Sequence, residues 1–229
     1  ATSVGSFDTI AAGFITAQLG LQMETLRAPE TIIYTNSAPR KDRTQPRTNN
    51  EGEGLLYGVL NNGVPVVIVN SGYSMSFMRD SLSELWSVHV DRGGSQFRSR
   101  DVFPPIVGKV AKKEFDFKDK QLDPLEVIPA PPESVVGYID SFGNLKTTIR
   151  EGHPILKSLK SGQKIKVSIN GVVRVARVAS GSFNVDEGDI AFAPGSSGHD
   201  KRYWEIFQRG GSAWAPYKKP LTGTNIEIS

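Results

Sequence analysis

The stretch that most limits what this chain can fold into is D-P-L-E-V-I-P-A-P-P-E-S, Asp123 to Ser134, where four prolines fall within nine residues. Proline offers no N–H to a ladder and its ring clashes with the preceding turn, so the run is expected to hold neither helix nor central strand. It reads as a linker, 123–134, that divides the 229 residues into an N-terminal domain, 1–122, and a C-terminal domain, 135–229.

The two sides differ in texture. From Asp8 to Leu21 the apolar residues Ile10, Phe14, Ala17 and Leu21 recur at helical spacing, with Ser6 or Asp8 as the cap. T-I-I-Y-T, Thr31 to Thr35, is a β-branched run without polar alternation. L-L-Y-G-V-L and V-P-V-V-I-V-N flank Asn61 to Gly63, and Asn-Gly between two such runs predicts a hairpin. One further helix is expected after Ser76, carrying Phe77, Met78, Leu82 and Leu85, and another after Pro104 and Pro105, carrying Ile106, Val107 and Val110. Wholly apolar strands beside amphipathic helices predict an α/β domain with a sheet covered on both faces, in three layers.

The loop G-S-Q-F-R-S-R-D-V-F-P-P, Gly94 to Pro105, feeds the last of those helices. In an extended loop Arg98 and Arg100 point one way and Phe97 the other. Beyond the linker come V-V-G-Y-I-D, L-K-T-T-I, K-I-K-V-S-I, V-V-R-V-A-R-V, D-I-A-F-A and W-E-I-F, separated by turn residues. That spacing predicts a small antiparallel β-barrel or sandwich.

Composition narrows the chemistry. With no cysteine there is no disulfide, thiolate or cysteine metal site, and the histidines His89, His153 and His199 are too scattered for one. No apolar run approaches the ~20 residues that cross a bilayer, and no secretory leader pattern opens the sequence, so no membrane partner is expected and the cytoplasm is the default. The net charge of +3 is spread by alternation, as in K-K-E-F-D-F-K-D-K from Lys112 to Lys120. Only A-P-R-K-D-R-T-Q-P-R, Ala38 to Arg47, concentrates cations, and nucleic acid is not expected as a partner.

Three motifs, in order and at their separations, resemble the S-adenosylmethionine (SAM) hydrolase family, also called SAM hydroxide adenosyltransferases and related to the SAM-dependent chlorinases and fluorinases. The S-Q-F-R-S-R-D-V-F-P-P loop is similar to the family's loop into a helix. Y-I-D-S-F-G-N-L-K-T-T-I, Tyr138 to Ile149, is similar to its nucleoside-contacting strand and turn. G-S-S-G followed by Y-W-E-I-F-Q-R-G-G-S-A, Gly195 to Ala213, is similar to its final loop and strand. The resemblance spans most of residues 8–215. It implies an α/β domain, a β-barrel domain, and a homotrimer whose SAM sites lie between one subunit's first domain and its neighbour's second. The chemistry implied is displacement at ribose C5′ by water or halide, with methionine leaving, no metal and no cofactor beyond SAM as substrate.

Carried over position by position, Asp140 and Asn144 match nucleoside ligands and Phe142 the aromatic between them. A carboxylate suits a ribose diol, and an amide can donate to and accept from an adenine edge. The same D-S-F-G-N residues also suit a plain β-turn. Phe183 matches a ring that stacks on the base, Ser196 and Ser197 match the loop at the methionine end, and Gly210 and Gly211 would let backbone amides approach adenine. The family's water-handling aspartate, arginine and histidine fall on Asn36, Arg43 and Arg98, so only the arginine is kept. Neither Asn36 nor Arg98 can serve as a base. N-S-G-Y-S, Asn70 to Ser74, replaces the family's aspartate-asparagine-glycine turn, and nothing like the family's opening threonine-aspartate-phenylalanine-glycine strand precedes Ala1, so the front unit of the first domain is expected to be missing from this sequence. The leading expectation is hydrolysis of SAM to adenosine and methionine. The alternatives are a non-catalytic SAM- or adenosine-binding protein with a degenerate triad, and a nucleic-acid-binding barrel resting on Arg40, Lys41, Arg43 and Arg47.

Overall fold

A computed structural model describes residues 4–26, 31–39, 45, 53–90, 97–181 and 184–229. The chain is mixed α/β with two sheets and few helices, and it divides into two compact units, Ala1–Pro131 and Pro132–Ser229. The division falls inside the proline-rich segment. That segment is not free of helix: Pro124–Val127 forms a single turn, α4, because proline suits a first helical position and the Asp123 carboxylate accepts from Leu125 N at 2.8 Å.

In the first unit α1 (Thr9–Leu26) starts where Asp8 Oδ1 accepts from Ala11 N at 2.9 Å, which identifies Asp8 as the cap. Strands β1 (Ile33–Thr35), β2 (Leu55–Leu60), β3 (Pro65–Val69), β4 (Leu82–Val88) and β5 (Lys118–Gln121) form one sheet in the order β1-β3-β2-β4-β5. The pair β1 and β3 is parallel, and the β2–β3 hairpin is the one expected at Asn61–Gly63. Leu55, Tyr57, Val67 and Val69 pack with Phe103, Ile106 and Val110 of α3 (Phe103–Ala111). On the other strand parity, Leu60 and Ile33 lie against Gly20 of α1, where a Cβ would stand 2.7 Å and 3.1 Å from their Cδ1 atoms.

Two expectations need correction. The helix after Ser76 is only a 3-10 turn, Ser76–Ser81, and Leu82 and Leu85 belong to β4, which pairs with β2 and β5. Apolar residues of both parities, Leu85 against Trp86 and Val88, imitate helical spacing, and the ladder bonds decide the outcome. The arginine loop is not extended either. Arg98–Asp101 is a helical turn, α2, in which the Arg100 guanidinium pairs with Asp101 and lies 4.7 Å from the Phe97 ring centroid.

In the second unit every expected run is a strand: β6 (Val136–Ile139), β7 (Leu145–Arg150), β8 (Lys164–Ile169), β9 (Val172–Val178), β10 (Ile190–Pro194) and β11 (Tyr203–Gln208). A seventh, β12 (Ile226–Ile228), lies beyond those expected. The sheet runs β12-β8-β9-β10-β11-β7-β6 and curls as a half-barrel, with Val136 N bonded to Thr224 O at 2.9 Å and Ile226 N to Ser134 O at 2.7 Å. It is not wholly antiparallel, since β9 and β10 run parallel. The concave side buries Leu145, Ile149, Val167, Ile206 and Tyr217. Burial pushes the Tyr217 phenol well above its ordinary value, and its hydroxyl has no hydrogen-bond partner.

Candidate functional site

The D-S-F-G-N turn joins β6 to β7, and its carboxylate is committed to the turn itself. Asp140 Oδ1 accepts from Phe142 N at 3.0 Å and Asn144 N at 2.9 Å, and Oδ2 accepts from Asn144 Nδ2 at 2.9 Å. This is the local side-chain to backbone bonding that aspartate favours in turns. Asp140 therefore serves the turn first, which limits what it has left for a ribose diol. The Asn144 amide must place its nitrogen toward Asp140, so its oxygen is the atom left to accept. Phe142 stands at the tip, 77% exposed. Gly143 has φ of +78°, and a Cβ there would collide with the Ser212 hydroxyl, while its carbonyl accepts from Trp214 N at 2.9 Å. The turn is thus seated against the segment after β11, and only glycine fits the seat.

Lys146, on β7, links the turn to the Gly195 loop. Its ammonium contacts Glu205 Oε2 directly and lies 3.6 Å from Asp140 Oδ2. The three side chains are 14%, 16% and 19% exposed for Lys146, Glu205 and Asp140. Two carboxylates around one ammonium leave a net negative, half-buried spot, which favours a cationic or donor-rich ligand. A Cβ on Gly195 would stand 3.1 Å from Glu205 Oε2. The loop from Gly195 is pinned by Arg150, whose Nε donates to Lys201 O at 2.6 Å and Nη2 to Gly198 O at 2.8 Å. Within it Ser196 is exposed, whereas Ser197 is 5% exposed with a hydroxyl that has no partner. Gly211 N is used by Gln208 O at 3.1 Å, so its amide is not available to a base, and both Gly210 and Gly211 are exposed. Phe183 lies outside the described residues.

Of the candidates in the first unit, Asn36 stands at the carboxyl end of β1, which runs parallel to β3, the end where open α/β sheets place ligands. Asn36 follows β1 and is exposed. Ser71, after β3, donates to Ser37 O and lies 3.1 Å from Ser74 Oγ. The hydroxyls of Tyr34, Ser37 and Ser76 are buried without partners, and burial raises the Tyr34 phenol. Arg98 packs its guanidinium carbon 5.4 Å from the Phe103 ring centroid, and its Nε is buried without a partner. Phe103 shares one apolar cluster with Tyr34 and Ala38, so Asn36 and Arg98 border the same side of the sheet. Arg43 lies outside the described residues. Sequence reasoning missed Glu53, a carboxylate only 7% exposed just ahead of β2, and the Lys146–Glu205 pair.

Among the described residues no group of three metal-ligating side chains occurs, and no helix is long and apolar enough to cross a membrane. What fold and site define together is a two-unit mixed α/β protein with polar turns gathered at the ends of both sheets. No family model matches the chain, and no curated protein matches it. Among solved structures it is similar to an uncharacterized conserved protein from Thermotoga maritima, with TM-score 0.73 and 18% identity over 99% of this chain and 86% of that one. It is also similar to a conserved hypothetical protein from Thermus thermophilus, with TM-score 0.63 and 16% identity over 99% of this chain and 84% of that one.

Proposed function

We propose that this protein binds S-adenosylmethionine and hydrolyses it to adenosine and methionine by attack of water at ribose C5′. The observation that carries the reading is convergence. Two of the three motifs, far apart in sequence, are joined by close contacts: the Asp140–Asn144 turn to Lys146, Lys146 to Glu205, Glu205 to Gly195, and Gly143 to Ser212. A set of plain turns has no need of a shared half-buried ion cluster, whose desolvation is costly unless it organises something. In this reading Asn144 Oδ1 accepts from the adenine amino group, Phe142 and Phe183 offer rings to the base, and Ser196 and Ser197 hold the methionine end. The negative spot around Asp140 and Glu205 favours SAM, a cation, over neutral adenosine.

The finer architecture follows the same reading. Helices α1 and α3 are the outer layers of a three-layer first domain, and the curled second sheet is a small barrel. The complete site unites one subunit's first unit with its neighbour's second in a cytoplasmic homotrimer.

A second reading, a non-catalytic adenosine- or SAM-binding protein, is favoured by Asn36 and Arg98, neither of which takes a proton from water. Incubation with SAM followed by chromatography separates the two. Adenosine and methionine in equal amounts support hydrolysis, and binding without turnover supports the second.

A further inference from the structure

We infer that Glu53 is the base of this site, supplying the carboxylate that Asn36 does not. The inference rests on the hydrolysis reading above. Its ground is placement. The β1–β3 register pairs Thr35 with Ile68, and continuing it sets Asn36 beside Val69 and Ser37 beside Asn70. The β2–β3 register pairs Leu55 with Val69, and Asn70 N donates to Gly54 O at 2.8 Å, so the ladder continues past β2 and sets Glu53 across from Ser71. Ser71 in turn donates to Ser37 O. Asn36 and Glu53 therefore flank the end of the same strand from either side.

Strand alternation aims them alike. Glu53 has the parity of Leu55 and Tyr57, and Asn36 that of Tyr34, all of which face the cluster that holds Phe103. Arg98 lies over that Phe103 ring. Flanking strands are about 10 Å apart across a middle one, and glutamate reaches one methylene further than aspartate. A carboxylate brought from β2 can thus stand where one on β1 would. Glu53 is 7% exposed, and a glutamate held so far from water is paired or hydrogen-bonded, which fixes where its carboxylate stands.

In the step assigned to it, the Glu53 carboxylate takes a proton from water as the water oxygen bonds to C5′. The C5′–S bond breaks, its electron pair stays on sulfur, and the sulfonium becomes neutral methionine thioether. Asn36 orients the water, and the Arg98 cation holds the developing hydroxide character.

The test is adenosine release from SAM by the purified chain, with adenosine affinity measured in parallel by calorimetry. Glu53→Gln is expected to lower kcat by about 100-fold or more while leaving the chain folded and adenosine affinity as in wild type. Glu53→Asp is expected to keep part of the rate. The double variant Asn36→Asp with Glu53→Gln returns a carboxylate to the same pocket from the other strand, and is expected to regain activity, which no purely structural role for Glu53 would allow. Wild-type turnover that persists in Glu53→Gln overturns the assignment alone, as does a double variant no faster than Glu53→Gln. A wild type that releases no adenosine overturns the hydrolysis reading and this role together.

Discussion

Asn144 is the residue on which the nucleoside reading bears most directly. Its Nδ2 is held by Asp140 at 2.9 Å, so one hydrogen bond, through Oδ1, is what it has to offer a base. Asn144→Ala is therefore expected to weaken adenosine binding by about 1 to 1.5 kcal/mol, roughly tenfold, rather than by the larger loss of a bidentate contact. Calorimetry with adenosine checks it, and an unchanged affinity would reduce the F-G-N turn to a structural one. The residue types of this turn are legible in sequence, but its bonding is not. Aspartate, glycine and asparagine at such spacing fit both a ligand and a turn, and only the fold shows the carboxylate spent on three local donors.

At the scale of elements, β4 and β5 carry a second cation site whose function is structural. Lys118 Nζ lies 5.0 Å, 4.9 Å and 4.9 Å from the ring centroids of Tyr57, Trp86 and Phe115, and 3.2 Å from Glu84 Oε2. Burial raises the Glu84 carboxyl, but the Trp86 N–H and the bond and charge of Lys118 outweigh it, and the net direction is down. A carboxyl lowered in the folded state adds stability above its unfolded value and loses it as pH falls through the folded one. The stability gap between wild type and Lys118→Met is expected to be under about 1 kcal/mol at neutral pH, since the pair is partly exposed, and to shrink below the ordinary carboxylate range. Urea titrations followed by tryptophan fluorescence, to which Trp86 contributes for the first unit and Trp204 and Trp214 for the second, read this out. A gap that widens in acid would contradict the assignment.

The same elements show what sequence can and cannot tell. The β2–β3 hairpin is readable because Asn61 to Gly63 punctuates two apolar runs, and α3 because Pro104 and Pro105 open it. β4 reads as helix because a strand apolar on both faces has no clean period of two. β12, three residues long, carries too little pattern to notice. Glu53 and the Lys146–Glu205 pair are invisible in sequence because burial and cross-strand partnership belong to the fold and not to any local window.

For the whole molecule, the reading requires that the chain associate, since the two parts of the site lie in separate units that the family resemblance unites across subunits. Sedimentation of the purified chain is expected to give a trimer, and a strict monomer at high concentration would leave only an open adenosine cradle. The measurement that bears most directly on the central claim is the incubation of the wild-type protein with SAM, with adenosine and methionine quantified against a protein-free control. Both products are expected in equal amounts, and both are expected to fall together in Glu53→Gln. Intact SAM at the end of the incubation, with the protein folded throughout, would contradict it.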